Sequence, residues 1–301
     1  MSELVSVVIT THNRSRLLIK AIESVKKQTY NNIQCIVVDD ASCDETEALC
    51  SNTEGISYIR IEKEDSKGGN YARNIGIKAA DGKFVAFLDD DDVWFPTKIE
   101  KQYSLIKGND DVGVVYCAMM LIFVGDNTPN RILKKTEPTL KGDLSKKILY
   151  RIPFVTSTFF VRKELLYKVG LFDEELSFWQ EYELTIRLAQ ITTFDFVDEA
   201  LVGYLIDKTD KNRLTNHYFR WRDAVEYVRN KHCVLYSNIS LFGSMRYYWL
   251  VLQDAFVRAK NAKLKGFPFI KLLIFYYLLK ILIFPCRIVK KKMNLWLSTI
   301  I

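Results

Sequence analysis

The sequence predicts an α/β chain built on a mostly parallel sheet with flanking helices, continued by a helical, membrane-associating extension. Three observations lead there. Short apolar runs alternate with amphipathic segments from Leu4 to Leu88, which is the pattern of strands and crossover helices. The 301 residues are 49% hydrophobic and 26% charged, enough for a real core and far from disordered or collagenous compositions. After Asp254 no acidic residue remains, while ten basic ones run from Arg258 to Lys292.

Leu4–Thr10 is a continuous apolar run, and Leu17, Leu18, Ala21, Ile22 and Val25 then recur at helical spacing. Ile33–Val38 is apolar again, and Ser42 with Glu45 forms a capping-box pattern for a short helix. Ile56–Ile61 reads as a third strand, Tyr71–Ala80 as a helix closed by Asp81-Gly82, and Phe84–Leu88 as a fourth strand. Further on, the pattern gives a helix over Thr97–Lys107 and strands over Val112–Met120 and Thr156–Val161, with no element assigned to the polar stretch Gly125–Lys147. A helix over Glu181–Gln190, a strand over Ala200–Leu205 and a loop over Asp207–Asn216 follow, with helix expected beyond His217. The expected organisation is a catalytic-type domain over 1–205, a helical extension over 206–262 and a tail over 263–301.

The net charge of +7 belongs to the tail: without its ten basic residues, the 43 fall to 33 against 36 acidic ones. Basic and apolar character in one segment points to an anionic membrane surface and away from nucleic acid. Within Phe267–Pro285 only Lys271 and Lys280 are charged, and a lysine near the centre of a bilayer-spanning helix costs about 2.5–3.5 kcal/mol. An in-plane anchor is therefore expected, with a core helix or an oligomer contact as the other reading. The six cysteines form no Cys-x-x-Cys pair, and the N-terminus lacks a secretory signal pattern. A reducing, cytoplasmic setting on the inner face of the membrane follows.

In a parallel sheet, ligands gather at the carboxyl ends of the strands. The fourth strand runs into Asp89, Asp90, Asp91 and Asp92. Such a cluster persists only if a cation or hydrogen-bond donors neutralise it. Mg²⁺ or Mn²⁺ carrying a diphosphate suits it; a solvated acidic turn is the plainer reading. The first strand ends in Thr10-Thr11-His12-Asn13-Arg14 and the second in Asp39-Asp40-Ala41-Ser42, so both can join the same crevice. Gly68-Gly69-Asn70 before Ala72-Arg73-Asn74 sets flexible backbone and a guanidinium at a helix start, which suits anionic oxygen or merely permits a turn.

Taken in order, these segments resemble glycosyltransferase family 2, an inverting group with the GT-A fold. The carriers are Thr10-Thr11-His12-Asn13-Arg14, Asp39-Asp40-Ala41-Ser42, Ala72-Arg73-Asn74-Ile75-Gly76 and Leu88-Asp89-Asp90-Asp91-Asp92-Val93-Trp94. The resemblance implies that Thr10, Asp40 and Asp39 hold the nucleotide base, and that Thr11, His12, Asn13, Arg14, Gly69, Asn70, Arg73, Asn74, Asp89 and Asp90 line the nucleotide-sugar site. Asp91 would be the stronger metal candidate, with Asp89 beside it and nearer the ribose. Gly170-Leu171-Phe172-Asp173-Glu174 followed by Trp179-Gln180-Glu181-Tyr182-Glu183-Leu184 is similar to the family's acceptor-side motif. Glu181 then stands where the family has its catalytic base, with Glu183 able to share the role; an ordinary acidic helix N-terminus is the alternative. Tyr204 is followed by Leu205, Ile206 and Asp207 where the family often has a His, so Asp207, Lys208 or Arg213 would have to substitute. The implied activity is metal-dependent transfer from a nucleotide-sugar, with UDP as nucleotide, to a saccharide or lipid-linked saccharide in bacterial surface polysaccharide synthesis. A non-catalytic nucleotide-sugar scaffold and a nucleotidyltransferase are the rival readings.

Overall fold

The computed structural model describes residues 2–124, 129–134, 136–152, 154–207 and 217–263. The chain divides into two compact units, one of Met1–Ile148 with Ile152–Thr209 and one of Leu149–Arg151 with Asp210–Ile301. In the first, β1 (Val5–Thr11), β2 (Ile33–Asp40), β3 (Ile56–Ile61) and β4 (Phe84–Asp89) alternate with α1 (Ser15–Lys26), α2 (Thr46–Ser51) and α3 (Gly69–Ala79). Next come β5 (Asp92–Trp94), α4 (Lys98–Ile106), β6 (Val112–Val124), β7 (Arg131–Lys134), β8 (Phe160–Arg162), α5 (Lys163–Val169), α6 (Gln180–Leu188) and β9 (Thr193–Asp207).

The sheet runs β3-β2-β1-β4-β8-β6-β9-β5, with β7 paired to β6. Its first four strands are mutually parallel. Beyond β4 the sheet is mixed: β8 is antiparallel to both β4 and β6, and β5 is antiparallel to β9. The expected strand over Thr156–Val161 is shortened for a local reason. Thr156–Thr158 is a 3₁₀ turn, because the Thr158 hydroxyl donates to the Val155 carbonyl at 2.7 Å and accepts from the Val155 N–H at 3.2 Å. Such side-chain bonds offer the backbone an alternative to the ladder. The Ser42–Glu45 capping box does not form either. Ser42 is drawn to the end of β2, and Asp44 accepts from the Thr46 N–H at 3.1 Å at the start of α2.

Alternation along β1 divides the core between the two faces. Val5, Val7 and Ile9 join Leu18, Ala21, Ile22 and Val25 of α1 and Ile99, Tyr103 and Ile106 of α4 in one cluster. Val8 faces the other way, toward α3. That helix approaches so closely that Gly76 has no room for a side chain: a Cβ there would lie 2.3 Å from Val8 Cγ1 and 3.3 Å from Val38 Cγ2.

In the second unit, α7 (Tyr218–Lys231), α8 (Cys233–Ser237) and α9 (Leu241–Asn261) follow one another. Ser240 caps α9 by accepting from the Gly243 N–H at 3.1 Å. Trp221, Ala224 and Val228 form the buried stripe of α7, and Tyr247, Ala255 and Ala259 that of α9. Among the described residues no helix is long and apolar enough to cross a membrane. The tail expected over 263–301 lies, except for Lys263, outside the described residues, as do the loop after Asp207 and the side chains of Asp207, Lys208 and Arg213.

Gly76→Ala should cost about 1–3 kcal/mol, the usual penalty of overpacking a close helix–sheet contact. A shift of the urea midpoint to lower concentration with an unchanged slope would show it; an unshifted midpoint would mean that α3 can back away from β1.

Candidate active site

Strand register brings the expected segments to one edge. Thr10 pairs with Asp89 across β1–β4, and Thr11 with Asp39 across β1–β2. The four consecutive aspartates then take separate environments. Asp89 accepts from Arg73 Nη2 at 2.7 Å, and its side chain is 32% exposed. Asp91 accepts from Arg14 Nη1 at 3.2 Å and is 36% exposed. Asp90 is buried, taking the Thr11 hydroxyl at 2.8 Å and Arg14 Nη1 at 3.0 Å. Burial pushes its carboxyl up to about 6, against the opposing pull of Arg14. Asp92 is buried as well, and burial with the neighbouring Asp91 and Asp89 holds its carboxyl well above the usual range.

Ser157 secures this turn. Its hydroxyl donates to Asp92 Oδ2 at 2.6 Å and accepts from the Asp89 N–H at 3.1 Å, while its carbonyl takes the Trp94 indole N–H at 2.9 Å. Below Trp94 sits a residue that the sequence reading missed. Lys98 is fully buried, its Nζ 3.9 Å from the Trp94 ring centroid and donating to Gln102 Oε1 at 2.8 Å. Gln102 Nε2 in turn donates to the carbonyls of Val115 and Thr158 at 3.1 and 2.8 Å. The available signal was a lysine on the apolar stripe of α4, four residues after a tryptophan.

At the end of β2 the two aspartates differ. Asp39 is fully buried and committed to the protein, accepting from Ser42 N at 2.9 Å, the Tyr58 hydroxyl at 2.7 Å and Arg60 Nη1 at 3.3 Å. Asp40 is 8% exposed, and its Oδ1 has no protein partner. That oxygen is buried, so the Asp40 carboxylate is left with an unsatisfied acceptor at this strand end. His12 Nδ1 donates to the Asp40 carbonyl at 2.5 Å, with Asn13 Nδ2 donating to His12 Nε2 at 2.9 Å. Asn13 also accepts from Cys43 N at 2.7 Å through its side chain, and its N–H donates to the Ser42 hydroxyl at 2.8 Å. His12 and Asn13 thus tie β1 to β2 instead of presenting free groups to a ligand.

Around α3 the correction is larger. Arg73 reaches Asp89 as described, but the amides of Asn70 and Asn74 turn to the segment Phe172–Leu176. Gly69 opens the helix behind Gly68, whose φ of 92° is in the left-handed region that favours glycine. On α6, Glu183 is fully buried and held by Arg187 at 2.6–3.1 Å, so it is no partner in proton transfer. Residues two apart on a helix point about 200° from each other. Glu181, in the first turn, is half-buried on the other side.

No group of three His, Cys, Asp or Glu side chains suited to a metal exists among the described residues. Asp89 and Asp91, partly exposed hard-oxygen donors, nonetheless fit a Mg²⁺ or Mn²⁺ ion that draws its remaining ligands from water and phosphate.

Burial lowers the Lys98 ammonium to about 7. Between about 7 and its ordinary value of about 10.4 the unfolded chain binds more protons, so this group makes stability rise with pH across that window. Lys98→Met should remove the contribution. Wild-type minus variant unfolding free energy should climb by up to about 1.4 kcal/mol per pH unit between about pH 7.5 and 9.5. A flat difference in urea denaturation would contradict it.

Residues 6–170 match the sequence model of glycosyl transferase family 2. An uncharacterised glycosyltransferase of Rickettsia prowazekii is 34% identical over 247 residues, covering 78% of this chain and 75% of that protein. The Escherichia coli UDP-Glc:alpha-D-GlcNAc-diphosphoundecaprenol beta-1,3-glucosyltransferase WfaP is 40% identical over 105 residues, 35% of this chain and 42% of that protein. Among solved structures, S. aureus TarS 1–349 in complex with UDP-GlcNAc superposes with a TM-score of 0.61 at 20% identity, covering 88% of this chain and 75% of that one. The mannosyltransferase PcManGT from Pyrobaculum calidifontis, in complex with GDP-Man and Mn²⁺, gives 0.60 at 17% identity, covering 93% and 81%. With the family's sequence model spanning more than half of the chain and the GT-A architecture beneath it, this protein belongs to glycosyltransferase family 2.

Proposed function

We propose that the chain is an inverting, metal-dependent glycosyltransferase that moves a sugar from a UDP-sugar to a lipid-linked saccharide in bacterial surface polysaccharide synthesis. The observation that carries the reading is the pair of partly exposed carboxylates, Asp89 and Asp91, each held by one guanidinium where the carboxyl ends of β1, β2 and β4 meet. WfaP, by its name, uses UDP-glucose and a diphosphoundecaprenol-linked acceptor. That supports UDP as the nucleotide and a lipid-linked acceptor.

In this reading the Asp40 carboxylate, which the protein leaves partly unsatisfied, accepts the imide N–H of uracil, and Thr10 at the end of β1 contacts the base edge. Asp91, with Asp89 beside it, would hold the divalent ion, which when bound neutralises charge on the departing diphosphate. Arg73 and Arg14 add positive charge at the same place, so that leaving-group stabilisation is already built into the site. Glu181 takes the proton of the acceptor hydroxyl. The hydroxyl oxygen attacks the anomeric carbon from the face opposite the diphosphate, the carbon–oxygen bond to phosphate breaks, and UDP leaves with that electron pair. The basic, apolar tail would keep the enzyme at the cytoplasmic membrane face, where the three lysines Lys290–Lys292 gain about 1 kcal/mol each from anionic headgroups.

Glu181→Gln should lower transfer about 10²–10⁴-fold while the dissociation constant for the UDP-sugar stays within about twofold. UDP release from a panel of UDP-sugars, with Mn²⁺ or Mg²⁺ and crude lipid-linked acceptor, reads the first quantity and calorimetry the second. Binding without turnover by the wild type would favour the scaffold reading instead.

A further inference from the structure

The family-type motif on α3 carries Asn70, Arg73 and Asn74, and the amide N–H groups of its two asparagines lead away from the aspartates. Asn70 Nδ2 donates to the carbonyls of Asp173 and Leu176, both at 2.7 Å. Asn74 Nδ2 donates to the Phe172 carbonyl at 2.9 Å and to Glu174 Oε1 at 2.8 Å, while its Oδ1 accepts from the Phe172 N–H at 2.9 Å. A primary amide has two N–H bonds to give, and each asparagine has given both to this segment. Asn70 and Asn74 are only 5% and 3% exposed. Neither has a donor left for a sugar nucleotide.

The remaining acceptor closes a relay. Asn70 Oδ1 accepts from Arg73 Nη1 at 3.3 Å, and Arg73 Nη2 donates to Asp89 at 2.7 Å. The Phe172 ring lies 5.7 Å from the Arg73 guanidinium and edge-on to Phe87 of β4, 5.3 Å away at 88°. One helix therefore holds the donor-side aspartate through Arg73 and the Phe172–Leu176 segment through the two asparagines. Trp179, three residues after Leu176, takes a left-handed φ of 56° as the N-cap of α6, whose first turn carries Glu181.

We infer that Asn70 and Asn74 are positioning residues which fix the acceptor-side segment leading to Glu181 relative to Asp89, and that they do not touch the donor. This rests on the donor site and the base proposed above. A displacement of about 1 Å in a catalytic group can cost about a hundredfold in rate, so loosening this segment should act on transfer and not on donor affinity.

The test compares wild type, Asn74→Ala and Glu174→Ala, using the UDP-sugar and lipid-linked acceptor that give the fastest wild-type turnover. Donor dissociation constant, transfer kcat and slow hydrolysis of the donor by water are measured for each. Asn74→Ala should lower transfer kcat at least about tenfold, with donor affinity within about twofold and a raised ratio of hydrolysis to transfer. Glu174 is exposed, so Glu174→Ala leaves the core intact and should move the ratio in the same direction by less. Weakened donor binding with intact kcat would make Asn74 a donor ligand and overturn the inference. Equal losses of hydrolysis and transfer would do the same, since a general structural defect lowers both. If Asn74→Ala does not fold, an unchanged ratio in Glu174→Ala overturns it alone. A wild type that binds no UDP-sugar overturns the functional reading itself, and is told apart because the failure precedes any substitution.

Discussion

Four aspartates in succession at the mouth of a buried strand are the constraint around which the rest of the first unit is arranged. Two unit charges 4 Å apart repel by about 4 kcal/mol at the effective dielectric near a protein surface, and here the neighbours on either side add to it. The fold answers by giving each carboxylate its own surroundings. Arg14 approaches from the N-cap of α1 and Arg73 from α3, Thr11 caps Asp90, and Ser157 takes Asp92. The second and fourth, Asp90 and Asp92, are driven toward their neutral forms by burial, and the first and third, Asp89 and Asp91, stay partly exposed. Of the four carboxylates in this repulsive run, Asp89 and Asp91 are the two left partly exposed.

Backbone geometry is spent in the same neighbourhood. Non-glycine residues with positive φ among the described residues are Asn13, Ala41, Leu171, Trp179 and Lys263. The first two follow β1 and β2, and the next two flank the Phe172–Leu176 segment. Conformations of this kind cost of order 1–3 kcal/mol each and persist only where the surroundings over-determine them. For Asn13 those surroundings are visible: bonds to Ser42, Cys43 and His12 leave it no other conformation.

The parallel half of the sheet was legible in the sequence because each of its central strands is buried on both faces and so reads as an unbroken apolar run. Where hydroxyls compete for the backbone, as at Thr156–Thr158, the apolar pattern continued but the strand did not. The segments expected to line the site do meet at one edge of the sheet, yet several of their side chains take partners that the sequence did not suggest. An asparagine in a motif looks the same whether its amide meets a ligand or a loop carbonyl. Only the contacts separate Asn70 and Asn74, which hold a loop, from Asp40, which keeps an oxygen that no protein group satisfies. Glu181 and Glu183 were paired by their proximity in sequence, and helix geometry parts them. Lys98 was passed over because a lysine is expected at the surface, and its burial under Trp94 depends on tertiary packing that no local pattern records.

The most direct test of the central claim is a crystal structure of the chain grown with a UDP-sugar and Mn²⁺. The account predicts uracil against Asp40 at the ends of β1 and β2, the ion on Asp91, and the sugar between Asp89 and Glu181. A nucleotide bound elsewhere, with Asp89 still paired to Arg73 and Asp91 to Arg14 and no ion between them, would contradict it.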